Sequence, residues 1–194
     1  GWIASPPWCK PPKRMLRPVR TFTDEQLGAL YDAAAVMTAP QIHGVSPAAW
    51  WRALLVVGYF TGLRVGALLR LRMSEIEYAR PAIIIPPEGT KTGMGQEIPL
   101  HPVAVRHLKA IDTERERVFE LPYVARCSFF WQWNKLKAEA GFPPDTKLGM
   151  HNMRKTSATV LWEQSPQAAQ AMLGHTRTDT TANFYVERSG MMRR

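Results

Sequence analysis

The chain has 194 residues, with 25 Lys plus Arg against 16 Asp plus Glu, a formal net charge of +9 and 45% hydrophobic residues. A chain of this length buries a full core without disulfides or metals, which excludes disorder as its main state. Cys9 and Cys127 are the only cysteines and sit in unrelated contexts, so a disulfide scaffold is excluded as well. The longest apolar run, 53–63, is interrupted by Gly58 and Thr61 and falls short of a membrane span. The expectation is a reduced, cytoplasmic protein with no membrane contact and a polyanionic partner for its excess positive charge.

Residues 1–20 read as a basic, Pro-rich linker. Pro6, Pro7, Pro11, Pro12 and Pro18 alternate with Lys10, Lys13, Arg14, Arg17 and Arg20, and no apolar period is visible. A start at Gly1 in place of Met suggests a cut edge with a further segment before it. The expected domain then runs over 21–194. Thr23-Asp24-Glu25-Gln26 has the form of a capping box, followed at helical spacing by Leu27, Leu30, Tyr31 and Ala34. Ser46-Pro47 is a second helix start, with proline at the first helical position and Trp50, Leu54 and Val57 behind it.

The middle of the chain changes period. Residues 75–78, 82–85 and 96–100 predict three short strands of one antiparallel sheet, and 88–95 the tip of the last hairpin. Helices are then expected over 103–111, 126–140, 151–163, 166–173 and 179–186. The fold class is therefore mainly α with a small antiparallel three-stranded sheet.

Four local signals carry chemistry. Thr61-Gly62-Leu63-Arg64 ends one helix at a glycine and sets an arginine at the start of the next. Thr90-Lys91-Thr92-Gly93 puts a lysine on the hairpin tip. His151 and Arg154, three apart, share one helix face, and Leu173-Gly174-His175 presents an imidazole just past a helix end. Each signal alone is compatible with an ordinary surface residue.

Their order, with Tyr185 closing the set, resembles the catalytic residues of the tyrosine recombinases, or phage integrase family. The resemblance runs from about Thr21 to Arg188 and includes Ile98-Pro99-Leu100 after the lysine, His151 to Ala158, and Thr180-Thr181 before the tyrosine. It implies the catalytic domain of a DNA breaking-and-rejoining enzyme. Its catalytic residues would be Arg64, Lys91, His151, Arg154, His175 and Tyr185. It implies double-stranded DNA as substrate and other protomers as partners in a DNA-bound synaptic tetramer, with a monomer in the absence of DNA. It also implies a bacterial or phage protein of the nucleoid, serving recombination or the integration of a mobile element.

The chemistry asks for these residue types. A tyrosine phenol titrates near ~10 and forms an aryl phosphate ester that a DNA hydroxyl can attack again. Two guanidiniums match the non-bridging oxygens of a phosphorane with planar donors. A histidine near ~6.5 can take the phenol proton, and a lysine lowered by neighbouring arginines can protonate the leaving oxygen. The His and acidic residues do not cluster at ligand spacing and the cysteines lack CxxC partners, so no metal or cofactor is expected.

Two positions depart from the family pattern. The third residue after Arg64 is commonly acidic in the family and here is Ala67. Many members also carry the tyrosine nine residues after the Leu-Gly-His histidine, where this chain has Phe184, and Tyr185 stands one further on. Tyr185 is the only tyrosine in the last 71 residues, which favours it as the nucleophile. The alternatives are a type IB topoisomerase-like relaxing activity and an inactive DNA-binding module of the same fold. Strand exchange between two duplexes separates the first, and covalent DNA capture the second. His43, His101 and His107 are expected to be surface or satisfied residues. Trp50, Trp51, Trp131, Trp133 and Trp162 are expected in core or half-buried packing.

Overall fold

A helix that is apolar on nearly every side belongs in the middle of a protein. Residues 47–61 are of that kind, and in the computed structural model, which describes residues 19–89, 95–121 and 126–174, they form the central helix. The element order is α1 (Asp24–Ala33), α2 (Pro47–Thr61), α3 (Val65–Leu68), β1 (Ile76–Glu77), β2 (Ala82–Ile85), β3 (Gln96–Pro99), α4 (Pro102–Lys109), α5 (Arg126–Glu139), α6 (Met150–Gln164) and α7 (Pro166–Leu173). Single 3-10 turns lie at Ala34–Val36, Met73–Glu75 and Pro87–Gly89.

Local chemistry sets the helix starts. Thr23 accepts from the Gln26 amide at 3.2 Å and the Gln26 side chain accepts from the Thr23 amide at 3.0 Å, a reciprocal box that begins α1. Ser46 accepts from the Ala49 amide at 3.2 Å ahead of Pro47. Ser165 does the same for α7, accepting from Ala168 at 3.2 Å, and it also closes α6, so one residue makes the corner between the two helices.

The central helix buries Trp50, Trp51, Leu54, Leu55 and Val57, and packs against α4, α6 and the turn after α1. Trp51 stacks on Phe129 with centroids 5.8 Å apart and donates its indole N–H to the Ala39 carbonyl at 2.8 Å. Trp50 meets Phe119 edge-on at 5.9 Å, and Trp133 lies 6.4 Å from Trp51. The expectation of packed tryptophans holds for Trp50, Trp51 and Trp133, and Trp162 is half-buried. Trp131 differs: it is 65% exposed, beside the exposed Phe130, because the inward face of α5 is already taken by Phe129, Trp133 and Leu136.

The sheet has the order β1-β2-β3, antiparallel throughout, with Ile83 opposite both Ile76 and Ile98. Ile83 and Ile98 face the core while Ile84 is exposed, the alternation of a half-buried sheet. The strands are shorter than expected at β1, which pairs over only two residues. Helix α4 starts one residue earlier than expected and ends at Lys109, where Ala110 closes it. The histidines off the motif are satisfied. His101 caps α4 by accepting from Val103 at 3.2 Å and stacks on Phe60 at 4.2 Å. His107 meets the Tyr31 hydroxyl at 3.2 Å, and His43 is exposed. Among the described residues no helix is long and apolar enough to cross a membrane.

The contrast between two tryptophans can be measured. Trp51→Ala should cost about 3–5 kcal/mol in urea unfolding, as for other large-to-small core changes. Trp131→Ala should stay within about 0.5 kcal/mol. Equal losses would contradict the packing described.

Candidate active site

Arg154 projects inward from α6 and is only 3% exposed. A buried guanidinium needs partners, since an unpaired buried charge costs several kcal/mol, on the order of 3–5 kcal/mol when a partner is removed. Its Nη1 donates to the Gly62 carbonyl and its Nη2 donates to the Leu173 carbonyl at 2.7 Å. Both acceptors are at helix C-termini, where carbonyls lack intrahelical partners and the dipole is negative. Gly62 caps α2 at φ +60° and Gly174 caps α7 at φ +62°, left-handed turns that a glycine adopts without strain. At Gly62 an added Cβ would also meet Met172 Cε at 2.9 Å.

The side chain thus ties together two turns that are far apart in sequence. One leads through Leu63 to Arg64, and the other leads from Leu173 and Gly174 to His175. Ser157, on the following turn of α6, reinforces the seam. Its hydroxyl donates to the Tyr59 carbonyl on α2 at 2.5 Å and approaches Met172 Sδ on α7 at 3.5 Å.

Arg64 is the residue before α3 and its own carbonyl accepts from the Leu68 amide at 3.0 Å. Its side chain is exposed and has no carboxylate partner among the described residues. Ala67, where a brace would stand, is half-buried in α3. His151 lies in the first turn of α6, exposed overall. Partial desolvation, then the cations Lys155, Arg154 and Arg64, hold its pKa below 6.5. The three charges are the part of this shift that a bound anion would reverse.

His151 and Arg154 stand one turn apart on α6, and the bond from Arg154 to the Gly62 carbonyl brings the turn that leads to Arg64 against the same helix. The three differ in exposure: Arg64 and His151 face solvent, and Arg154 faces the backbone behind them. Lys155 belongs to the same cluster and was not singled out in the sequence. Its signal was available, because it stands four residues after His151 on the same face. Lys91, His175, Phe184 and Tyr185, and the expected helix over 179–186, lie outside the described residues. So does most of the expected tip at 88–95.

A helical body with an edge sheet of three antiparallel strands, in this element order, is the fold of a tyrosine recombinase catalytic domain. Residues 20–190 match the model of the phage integrase family, and the chain belongs to that family. It is 29% identical over 156 residues to a Pseudomonas aeruginosa protein assigned as tyrosine recombinase XerC. That alignment covers 72% of this chain and 36% of the relative, so the chain spans about a third of that protein. The crystal structure of XerA recombinase superposes with a TM-score of 0.69 at 20% identity, covering 95% of this chain and 64% of that one. A lambda integrase dimer bound to a COC' core site superposes at 0.65 and 21% identity, covering 91% of this chain and 62% of that one.

The two arginines should respond differently to truncation. Arg154→Ala strands two buried carbonyls and should cost about 2–4 kcal/mol by denaturant unfolding. Arg64→Ala, at an exposed position, should stay within about 0.5 kcal/mol. The reverse order would refute the tie.

The sign of the His151 shift gives a pH dependence. A histidine lowered below 6.5 on folding stays neutral where the unfolded chain has begun to take up a proton. Its contribution to stability is complete above pH 6.5 and is lost as pH falls through the lowered value. Imidazole NMR should therefore show His151 titrating below 6.5, and inorganic phosphate should move the midpoint upward. A midpoint above 6.5 without anion would contradict the cation cluster.

Proposed function

We propose that the chain is the catalytic part of a site-specific DNA recombinase or integrase that cuts and rejoins strands through a 3′-phosphotyrosine. The observation that carries the reading is the Arg154 tie, which joins the Arg64 turn to the turn before His175 within a chain of the phage integrase family. Tyr185 attacks the scissile phosphorus, the bond to the 5′ oxygen breaks, and the phosphoryl group passes to the phenol oxygen. The ester retains the energy of the broken bond, so a DNA hydroxyl can reverse the step.

Negative charge grows on the non-bridging oxygens as the phosphorane forms. Arg64 reaches them from solvent, while Arg154 has five donors in one plane and can serve backbone and phosphate together. Preorganised donors of this kind contribute on the order of 3–4 kcal/mol each. His151, whose pKa is held below 6.5 by partial burial and then by its cationic neighbours, accepts the phenol proton. His175 adds a hydrogen bond to a non-bridging oxygen, and Lys91 gives its proton to the departing 5′ oxygen. No step draws on a cofactor. The DNA-bound lambda integrase dimer, similar in fold, supports double-stranded DNA as substrate and further protomers as partners.

A nicked suicide duplex tests the reading. The native chain should form a covalent protein–DNA band, and Tyr185→Phe should abolish it while binding is retained, because only a hydroxyl is lost. Phe184→Tyr should add nothing. A native chain that forms no adduct, with Phe184→Tyr creating one, would move the nucleophile to position 184. No adduct from either would reject the strand-transfer reading.

A further inference from the structure

The chain enters the described structure along α6, the helix that carries His151 and Arg154. Asn152 Nδ2 donates to the Arg20 carbonyl at 2.8 Å, and the Phe22 amide donates to Thr156 Oγ1 at 2.8 Å. Asn152 and Thr156 are four apart and so share a face of the helix. Each is itself fixed: Asn152 Oδ1 accepts from the Gly149 amide at 2.9 Å, and Thr156 donates to the Asn152 carbonyl at 2.8 Å. Phe22 is buried and meets Trp133 and Phe142 edge-on at 6.5 and 6.2 Å. The segment is thus pinned on both sides of Thr21.

The pinned segment exposes one charge, Arg20. Its side chain has no carboxylate partner among the described residues. Its carbonyl is bonded to the residue that follows His151. Charges recur every ~3.4 Å of rise along one DNA strand, so a cation beside the site that takes one phosphate lies in reach of the next. Anchoring the backbone beforehand also lowers the ordering cost of such a contact.

We propose that Asn152 and Thr156 are positioning residues that seat Arg20 as a further phosphate-binding residue, flanking the Arg64–His151–Arg154 cluster. The assignment rests on the DNA reading given under the proposed function. Asn152 acts on Arg20 directly, and Thr156 acts through Phe22.

The experiment uses the full chain and a duplex of fixed sequence, with binding constants measured against salt. Each phosphate contact contributes about −0.9 to the log–log slope. Arg20→Ala and Asn152→Ala should each make the slope shallower by about 0.9, and the double variant should lose no more than either alone. Thr156→Val should act like Asn152→Ala, and Thr156→Ser should restore the native slope, which a general loss of stability would not do. In the free protein, hydrogen exchange at the Phe22 amide should accelerate in Thr156→Val and recover in Thr156→Ser. Unchanged slopes in Arg20→Ala, or fully additive losses in the double variant, would overturn the proposal. So would Phe22 exchange that ignores Thr156. If the native chain still forms the covalent adduct in those cases, only this inference falls. If it binds no duplex and forms no adduct, the reading beneath it falls too.

Discussion

The site depends on one guanidinium bonded to two helix ends. Helices α2 and α7 each finish at a glycine that leaves a carbonyl without a partner, and Arg154 supplies a donor to both. The arrangement answers two separate problems at once. Buried carbonyls at helix C-termini need donors, and a buried positive charge needs negative partial charge around it. Because the same side chain meets both needs, the turns that introduce Arg64 and His175 are fixed relative to α6 and so relative to His151. Packing of α6 against α2, strengthened by Ser157 on the Tyr59 carbonyl, keeps the distance between them.

The electrostatic character of the site follows from what surrounds these groups. Arg154 is compensated by two dipole ends, while Arg64 has no carboxylate among the described residues and His151 sits among cations. The cluster is therefore positive toward solvent and neutralised toward the core. That polarity suits a polyanion approaching from outside.

How much of this was legible in the sequence divides by distance along the chain. The helix starts at Thr23 and Ser46 were readable because a cap is made within three residues. The strands were readable from alternation, with Ile83 and Ile98 inward and Ile84 outward. The motif order picked out Arg64, His151 and Arg154; in the structure His151 and Arg154 share α6, and Arg154 bonds to the turn before Arg64. What the sequence did not reveal is what Arg154 bonds to, because Gly62 lies 92 positions away and its acceptor is a backbone carbonyl that no residue type advertises. The bonds from Asn152 and Thr156 to residues 20 and 22 span 132 and 134 positions and were hidden for the same reason. Trp131 was misjudged because residue type alone does not say which helix face is already filled.

The two bonds of Arg154 differ in how much change in chain length they tolerate. The acceptor at Leu173 lies 19 residues downstream, along α6, a one-residue corner at Ser165 and the whole of α7. That path is a rigid ruler. Inserting or deleting one residue within α7 would turn its end by about 100° and shift it by ~1.5 Å, carrying the Leu173 carbonyl away from the guanidinium. The acceptor at Gly62 is reached instead through the sheet, α4 and α5, whose connections absorb insertions at small cost. Descendants of this chain can thus lengthen in the connections between α3 and α6, for instance to enlarge a surface for a new target, while the stretch from Arg154 to Leu173 keeps its count.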